Sequence, residues 1–511
     1  LQLIDNFFND LLVTRDIYGK NFLTLIALIL FFLLLVSFGP INHSDTVNYY
    51  VGYPFQFFQR NLHYIDGDLW QGLLGIGDFA NIAYIQEKSI WLIRVSQYLP
   101  LIPILLFLCK RKTSSLVIFI FIFSPVFLQW LTIGKITFIG DSCLSLVYLC
   151  WKFKKSEKYA FLTFLVGLIS ISIKISSLII FIPILFDVLI SHKFNFKNII
   201  QLNLNSKNIG ILFLMISVAS ILSIMYYRFF ITGNFFFPLF ATIFSKGNQQ
   251  LLDWENMLRS FDREGFYQLW LFLPKNPSKI ASVLGPASGF LFLLKFLENI
   301  KNLKSIKKFD FNIAFIQLIL LFLFAQGRAD YYFSPLFLIV CGSNNIFEDK
   351  ILINKFRGIF NPRNIIKTLF GIQLFLFVSS SLYMISLNIS AIFNYEETMN
   401  KTAYGYYNSK ILIDKATYPV LSLKSSPPRL FYNSEFIPNH NFWKCFKYTD
   451  YPNILDKKSF CIEKLKAKTI IVEENYLEGN DNFDCDSLEF KETPRNIFKS
   501  SNFKVDFCRK K

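Results

Sequence analysis

The chain has 511 residues, of which 53% are hydrophobic and 61 are phenylalanine, with a mean hydropathy of +0.38 and a formal net charge of +17. That balance excludes a soluble domain of this size and reads as a polytopic membrane protein. The positive charge does not point to nucleic acid, because the basic residues gather in short loops between apolar runs, where they set orientation.

Residues 1–20 alternate apolar and acidic positions at near-helical spacing, which predicts a cytoplasmic amphipathic segment along the membrane surface. The first apolar run, Phe22 to Phe38, has no small-residue cleavage site and is expected to be an uncleaved first span. A segment at about 39–88 follows, with Asp45, Asp66, Asp68, Asp78 and Glu87 against Arg60 and Lys88. It is acidic and too long for a simple turn. Further spans are predicted at about 90–108, 115–131, 136–151, 159–173, 175–191, 209–230, 280–297, 311–326, 331–346 and 367–390. The windows are too long for barrel strands of about 10 residues, so an α-helical bundle of about 11 transmembrane helices is expected. The join around Lys174 is so short that the two spans flanking it read equally as one kinked or re-entrant element.

With the N-terminus cytoplasmic, the loops near 110, 153, 200, 304 and 356 are inner loops rich in Lys and Arg, and the intervening loops are acidic or balanced. The positive-inside rule then places the C-terminal 120 or so residues outside. A second outer loop, 231–279, carries Trp254 and Trp270 and is expected to hold short interfacial helices. The expected organisation is therefore an amphipathic segment at 1–20, a transmembrane domain at 21–390 with outer loops 39–88 and 231–279, and an extracytoplasmic domain at 391–511. Polar composition, with strand candidates at Arg429 to Tyr432 and Thr469 to Val472, makes that last part a small α/β domain. Its cysteines, Cys445, Cys461, Cys485 and Cys508, are even in number in an oxidising compartment; the simplest pairing is Cys445 with Cys461 and Cys485 with Cys508, although three pairings exist.

The residues that bear chemistry collect at the outer boundary. Asp45, just past the first span, has His43, Ser44, Asn48, Tyr49 and Tyr50 around it in FGPINHSDTVNYYVGY (38–53). A carboxylate there stays ionised at little cost and reaches a substrate at the lipid surface, which suits a general base; the bland alternative is a helix N-cap. Arg94, Lys135, Asp141, Lys174, Arg228 and Arg328 stand where spans meet that face, and each needs a partner, water or a ligand. Arg228 and Lys174 read equally as snorkelling side chains. Lys135 and Arg328 follow Gly134 and Gly327, and a glycine lets backbone approach a phosphate that the cation then binds.

Two further runs, ITGNFFFPL (231–239) and QGRADYYFSP (326–335), end spans with a turn and a proline, and the second sets Arg328 beside Tyr331 and Tyr332. Together with Asp45 and WLTIGK (130–135), they make residues 20–390 resemble the C-type glycosyltransferase superfamily, with a closer likeness to bacterial relatives of the protein O-mannosyltransferase and aminoarabinose transferase families. The resemblance implies a multi-pass transferase of the inner (plasma) membrane. It would move a sugar from a polyprenyl-phosphate donor to an extracytoplasmic glycan, lipid or protein. Asp45 matches the acid that follows the first span in that superfamily, but no second acid adjoins it; Asp66, Asp68 or Asp78 would have to supply one. His43, Tyr49, Tyr50, Lys135, Lys174, Arg328 and Tyr331 are the expected substrate-binding residues, and membrane lipids the expected surroundings.

Other chemistries find less support. The four histidines, His43, His63, His192 and His440, fall on different segments; His43 with Asp45 is the one pair that suggests a divalent metal, and no metal set is assigned. Cys109, Cys143, Cys150 and Cys341 lie in or beside spans and are expected to be inert core residues. No phosphate-binding Walker loop or dinucleotide fingerprint occurs, so nucleotide-driven chemistry is not expected, and the polyprenyl-phosphate sugar enters as donor substrate. The competing readings are a lipid-linked saccharide flippase, which wants broken midplane helices and two related halves, and an outer-face polysaccharide polymerase or ligase.

Overall fold

The structure, a computed structural model, describes residues 2–60, 69–86, 89–192, 207–238, 243, 251–252, 256, 271–274, 277–301, 309–324, 329–343, 362–403, 405–423, 436–437, 439–449, 451, 453–474, 476–477, 482–492 and 501–510. It divides into two compact units, one formed by Leu1–Gly39, Gly75–Gly77 and Trp91–Asn388, the other by Pro40–Leu74, Asp78–Ile90 and Ile389–Lys511.

The first unit is helical throughout its described residues. Among the described residues, five stretches are long and apolar enough to cross a bilayer: Lys20–Ser37, Leu92–Lys110, Ile211–Thr232, Ile280–Leu297 and Asn364–Phe393. The expected third span is instead two helices, Ser115–Ile122 and Val126–Ile133, bent by 49°. Pro125 stands at the break, where its missing N–H and its clash with the preceding turn forbid a continuous helix. The remaining expected spans are the helices Thr137–Lys154, Glu157–Ile173, Ser177–His192, Phe309–Phe324 and Phe333–Gly342. These are shorter or carry more charge, so among the described residues length and composition give five crossings, or six with the bent pair, against the 11 expected of the whole chain. Short or interrupted helices are stable where protein, not lipid, surrounds them, and a hydropathy window does not separate the two cases.

Apolar contact alone does not hold helices together when the alternative solvent is lipid tail, so shape and interhelical hydrogen bonds must do so. Both are present. Trp130 stacks on Phe138 at 5.1 Å and meets Phe127 of its own helix and Phe333 edge-on at 4.8 and 5.3 Å, so three helices interlock through aromatic rings. Gln317 donates to the Ile180 carbonyl at 3.0 Å and accepts from Ser334 at 3.0 Å, while Gln373 donates to the Ile120 carbonyl at 2.7 Å. The N-terminal segment is a helix, Gln2–Tyr18, held against the end of Leu101–Lys110 by the Lys110–Asp10 ion pair at 2.7 Å and by Tyr18 donating to the Thr113 carbonyl at 2.6 Å. Cys109 and Cys341 are buried as expected, whereas Cys143 is exposed on the outside of its helix.

In the second unit, the stretch after the first span is a chain of short helices, including a π-turn at Thr46–Tyr50 and helices Gly52–Arg60, Ile76–Ala80 and Ile82–Gln86. The C-terminal part forms a mixed five-stranded sheet of β1 (Val420–Ser422), β2 (Phe436–Ile437), β3 (Thr469–Glu473), β4 (Phe483–Glu492) and β5 (Ser501–Lys510), ordered β2-β1-β3-β5-β4. β1 runs parallel to β2 and β3, and β5 runs antiparallel to β3 and β4. The fully buried Ile470, Ile471 and Val472 explain why TIIVE reads as a central strand. The candidate at Arg429 to Tyr432 and most of loop 231–279, with Trp254 and Trp270, lie outside the described residues. Both simplest disulfides are formed. Cys445–Cys461 ties helix Asn439–Tyr448 to helix Ile454–Lys464, and Cys485–Cys508 joins cross-strand partners on β4 and β5.

Candidate functional site

In the second unit, Asp45 begins the π-turn. The turn closes by the Val51 N–H bonding to the Thr46 carbonyl at 3.0 Å, one residue wider than an α-turn, and such insertions recur at functional positions. Asp45 has helical backbone angles, φ −68° and ψ −32°, and its side chain accepts no capping hydrogen bond. The helix-cap alternative is therefore set aside: a capping residue has extended backbone and its carboxylate turned onto the first N–H groups. The carboxylate is half-buried, as are His43 and Tyr49, while Ser44 and Tyr50 are buried. The Asp45 N–H donates to His43 Nδ1 at 3.2 Å, so the neutral imidazole carries its proton on Nε2. Protonation at Nδ1 would remove that acceptor. Asn81 donates to the Tyr50 carbonyl at 2.9 Å, and Tyr49 stacks on buried Tyr53 at 6.3 Å, contacts that hold the turn that follows Asp45. Of the three proposed second acids, Asp78 is buried at 2% exposure, and Asp66 and Asp68 lie outside the described residues.

In the first unit, Lys135 follows Gly134, which closes helix Val126–Ile133 in the left-handed conformation at φ 70°. Glycine takes that conformation without a Cβ clash, and the reversal turns Lys135 into the interior before helix Thr137–Lys154 begins. Lys135 Nζ lies 2.9 Å from Asp330 Oδ2 and 4.2 Å from the centre of the Tyr331 ring, with side-chain exposures of 7% for Lys135 and 2% for Asp330. Trp130 Nε1 donates to the Asp330 carbonyl at 3.0 Å and so fixes the turn Ala329–Tyr331 that presents the carboxylate. The sequence runs WLTIGK and QGRADYYFSP are thus brought together. The contact is made by Asp330, which the sequence reading quoted without assigning it a role; Arg328 lies outside the described residues. A lysine buried in an apolar bundle needs a counter-charge, and an unassigned carboxylate within the second run was the available signal.

Nearby in the same unit, Asp141 accepts from Ser177 Oγ at 2.6 Å and lies in the electrostatic field of Lys135. Lys174 is buried and extended, φ −153° and ψ 128°, in a three-residue link that separates helices Glu157–Ile173 and Ser177–His192, so the join is a break between two helices. Gly75 packs so closely on this link that a Cβ there would sit 1.7 Å from the Ile173 carbonyl oxygen. Arg94 takes a structural role: buried, it donates to the Val36 carbonyl at 2.8 Å, and Asn388 donates to the same oxygen at 3.1 Å, so both cap the end of the first span. Among the described residues, no group of three or more His, Cys, Asp or Glu side chains is arranged to hold a metal.

No family model matches the sequence. No curated protein matches it. Among solved structures, it matches the crystal structure of ArnT from Cupriavidus metallidurans bound to undecaprenyl phosphate, over 96% of this chain and 98% of that one, at 11% sequence identity and a TM-score of 0.48.

Proposed function

We propose that the protein is a C-type membrane glycosyltransferase that moves a sugar from a polyprenyl-phosphate donor to a hydroxyl-bearing extracytoplasmic acceptor, a cell-envelope glycan, lipid or protein. The observation that carries the reading is Asp45: a half-buried carboxylate eight residues past the end of an apolar helix, at the start of a π-turn, and not used as a cap. In the proposed reaction, the acceptor oxygen attacks the anomeric carbon while the bond from that carbon to the phosphate oxygen breaks. The electron pair leaves on the polyprenyl phosphate, and the hydroxyl proton passes to Asp45. A carboxylate needs no unusual ionisation to serve as this base at neutral pH, and general-base help is worth about 10²- to 10⁴-fold.

Lys135, Lys174 and Arg328 are the cations proposed to stabilise the departing phosphate, an electrostatic contribution of comparable size. Tyr331 would orient Lys135 through its ring, and His43, Tyr49 and Tyr50 would position the acceptor. In this reading Asp330 keeps Lys135 charged and in place before the donor arrives. The donor would enter from the bilayer, the N-terminus would be cytoplasmic, and residues 391–511 would lie outside as a domain shaping the acceptor side.

One observation favours a carrier instead: the 49° break at Pro125 is the kind of interrupted helix that lines transport sites. The test is incubation of the purified protein with a panel of polyprenyl-phosphate sugars and a mixed acceptor pool. Release of free polyprenyl phosphate with one donor is the expected result. Movement of intact donor across a vesicle, with none consumed, would replace the transferase by a flippase.

A further inference from the structure

At one end of the first unit, three elements bring cations together. Helix Leu101–Lys110 ends in Lys110 and is followed by Arg111 and Lys112, and helix Thr137–Lys154 ends in Lys154 and is followed by Lys155. The Arg111 guanidinium lies 3.4 Å from the centre of the Phe153 ring, which joins the two helix ends directly. Asp10 of the N-terminal helix bridges Lys110 at 2.7 Å and also acts electrostatically on Lys154, so all three elements share one locus.

The surplus of charge there is large. Segments 110–112 and 151–158 hold seven cations and a single acid, Glu157; Asp10 and Asp187 pair with Lys110 and Lys152. The helix dipole accounts for a cation in each last turn, but not for a surplus assembled from separate elements. Several of these cations are also positioned by rings. Lys154 Nζ is 3.2 Å from the Tyr159 hydroxyl and 5.0 Å from its ring centre, and Lys155 Nζ is 4.9 Å from the Trp151 ring centre. A guanidinium stacked on a ring keeps the N–H groups at its edge directed outward, the geometry that grips a phosphate with two parallel bonds. Lys112 and Lys155 have left-handed backbone, φ 54° and 52°, at positions where glycine or asparagine is usual. Lysine stands at both of these disfavoured positions.

We propose that this end of the bundle is a binding site for the headgroup phosphate of an acidic phospholipid, with Arg111, Lys154 and Lys155 as its ligands. The site closes an apolar helix, Leu92–Lys110, that is long enough to cross a bilayer, so its phosphate is presented at headgroup level on a lipid. It is separate from the residues proposed for sugar transfer, and its test does not depend on activity.

The full chain, purified in neutral detergent, is titrated with phosphatidylglycerol, with phosphatidylcholine and with inorganic phosphate, and bound species are counted by native mass spectrometry. Phosphatidylglycerol is expected to bind about tenfold more tightly than phosphatidylcholine. The variant Arg111→Gln/Lys154→Gln/Lys155→Gln is expected to lose that preference. Arg111→Lys keeps the charge and removes the planar fork, so it inserts normally and loses about threefold of the preference. Equal binding of the two lipids, or a preference that survives in the triple variant or is unchanged in Arg111→Lys, overturns the proposal. Inorganic phosphate competing as well as phosphatidylglycerol overturns the lipid assignment.

Discussion

Lys135 and Asp330 are 195 residues apart in sequence and 2.9 Å apart in the fold, and both side chains are almost wholly withdrawn from solvent. Removing one member of such a pair strands a charge in a medium that solvates it poorly, whereas replacing both with apolar residues of similar size leaves nothing stranded. Lys135→Met or Asp330→Leu alone is therefore expected to destabilise the first unit by about 3 to 5 kcal/mol, and the double variant to recover most of that loss. Thermal unfolding of the detergent-solubilised protein measures all three; additive losses in the double variant would show that the two residues are not coupled. Half of this site was legible in the sequence. Gly134 before Lys135 marked a place where backbone turns and a cation is presented, but nothing in a single sequence states which distant carboxylate meets it. Asp45 is the converse case: its place after the first span was legible, and the π-turn it begins and the absent cap bond were not.

Among the elements, the ones read best were those with a strong period or a hard chemical constraint. TIIVE became a buried strand, the four cysteines of the C-terminal part formed both expected pairs, and residues 2–18 became the expected helix. The span count was less legible, because a hydropathy window cannot tell a helix packed in protein from one bathed in lipid; the break at Pro125 lies within a single apolar run. The disulfide between Cys445 and Cys461 closes a separation of 16 residues between two helices, which limits the unfolded chain and contributes about 3 kcal/mol. Peptide mapping without reductant should recover both linked pairs, and Cys445→Ser/Cys461→Ser should lower the unfolding midpoint of the C-terminal part. Four alkylatable thiols in the C-terminal part would contradict the pairing.

Along the whole molecule, basic loops alternate with apolar spans, and the positive-inside rule leads us to expect the N-terminus and residue 110 on the cytoplasmic side, and residue 45 and the chain beyond 391 on the other. Single cysteines placed at 45, 110 and the exposed position 454, in a background lacking Cys109, Cys143, Cys150 and Cys341 and with the two disulfides intact, read this arrangement with a membrane-impermeant thiol reagent. Labelling at 45 and 454 from outside is expected, and labelling at 110 only after the membrane is opened; the reverse pattern would turn the proposed chemistry to the cytoplasmic face. In the proposed reaction Asp45 accepts the acceptor's proton, and the most direct measurement of that role is the single-turnover rate of sugar transfer in Asp45→Asn against the unaltered protein at saturating polyprenyl-phosphate donor. Asparagine preserves size and most hydrogen bonding but cannot take the proton, so the expected result is normal insertion, donor binding within about twofold, and a transfer rate lowered by at least about 100-fold. A rate equal to that of the unaltered protein would contradict it.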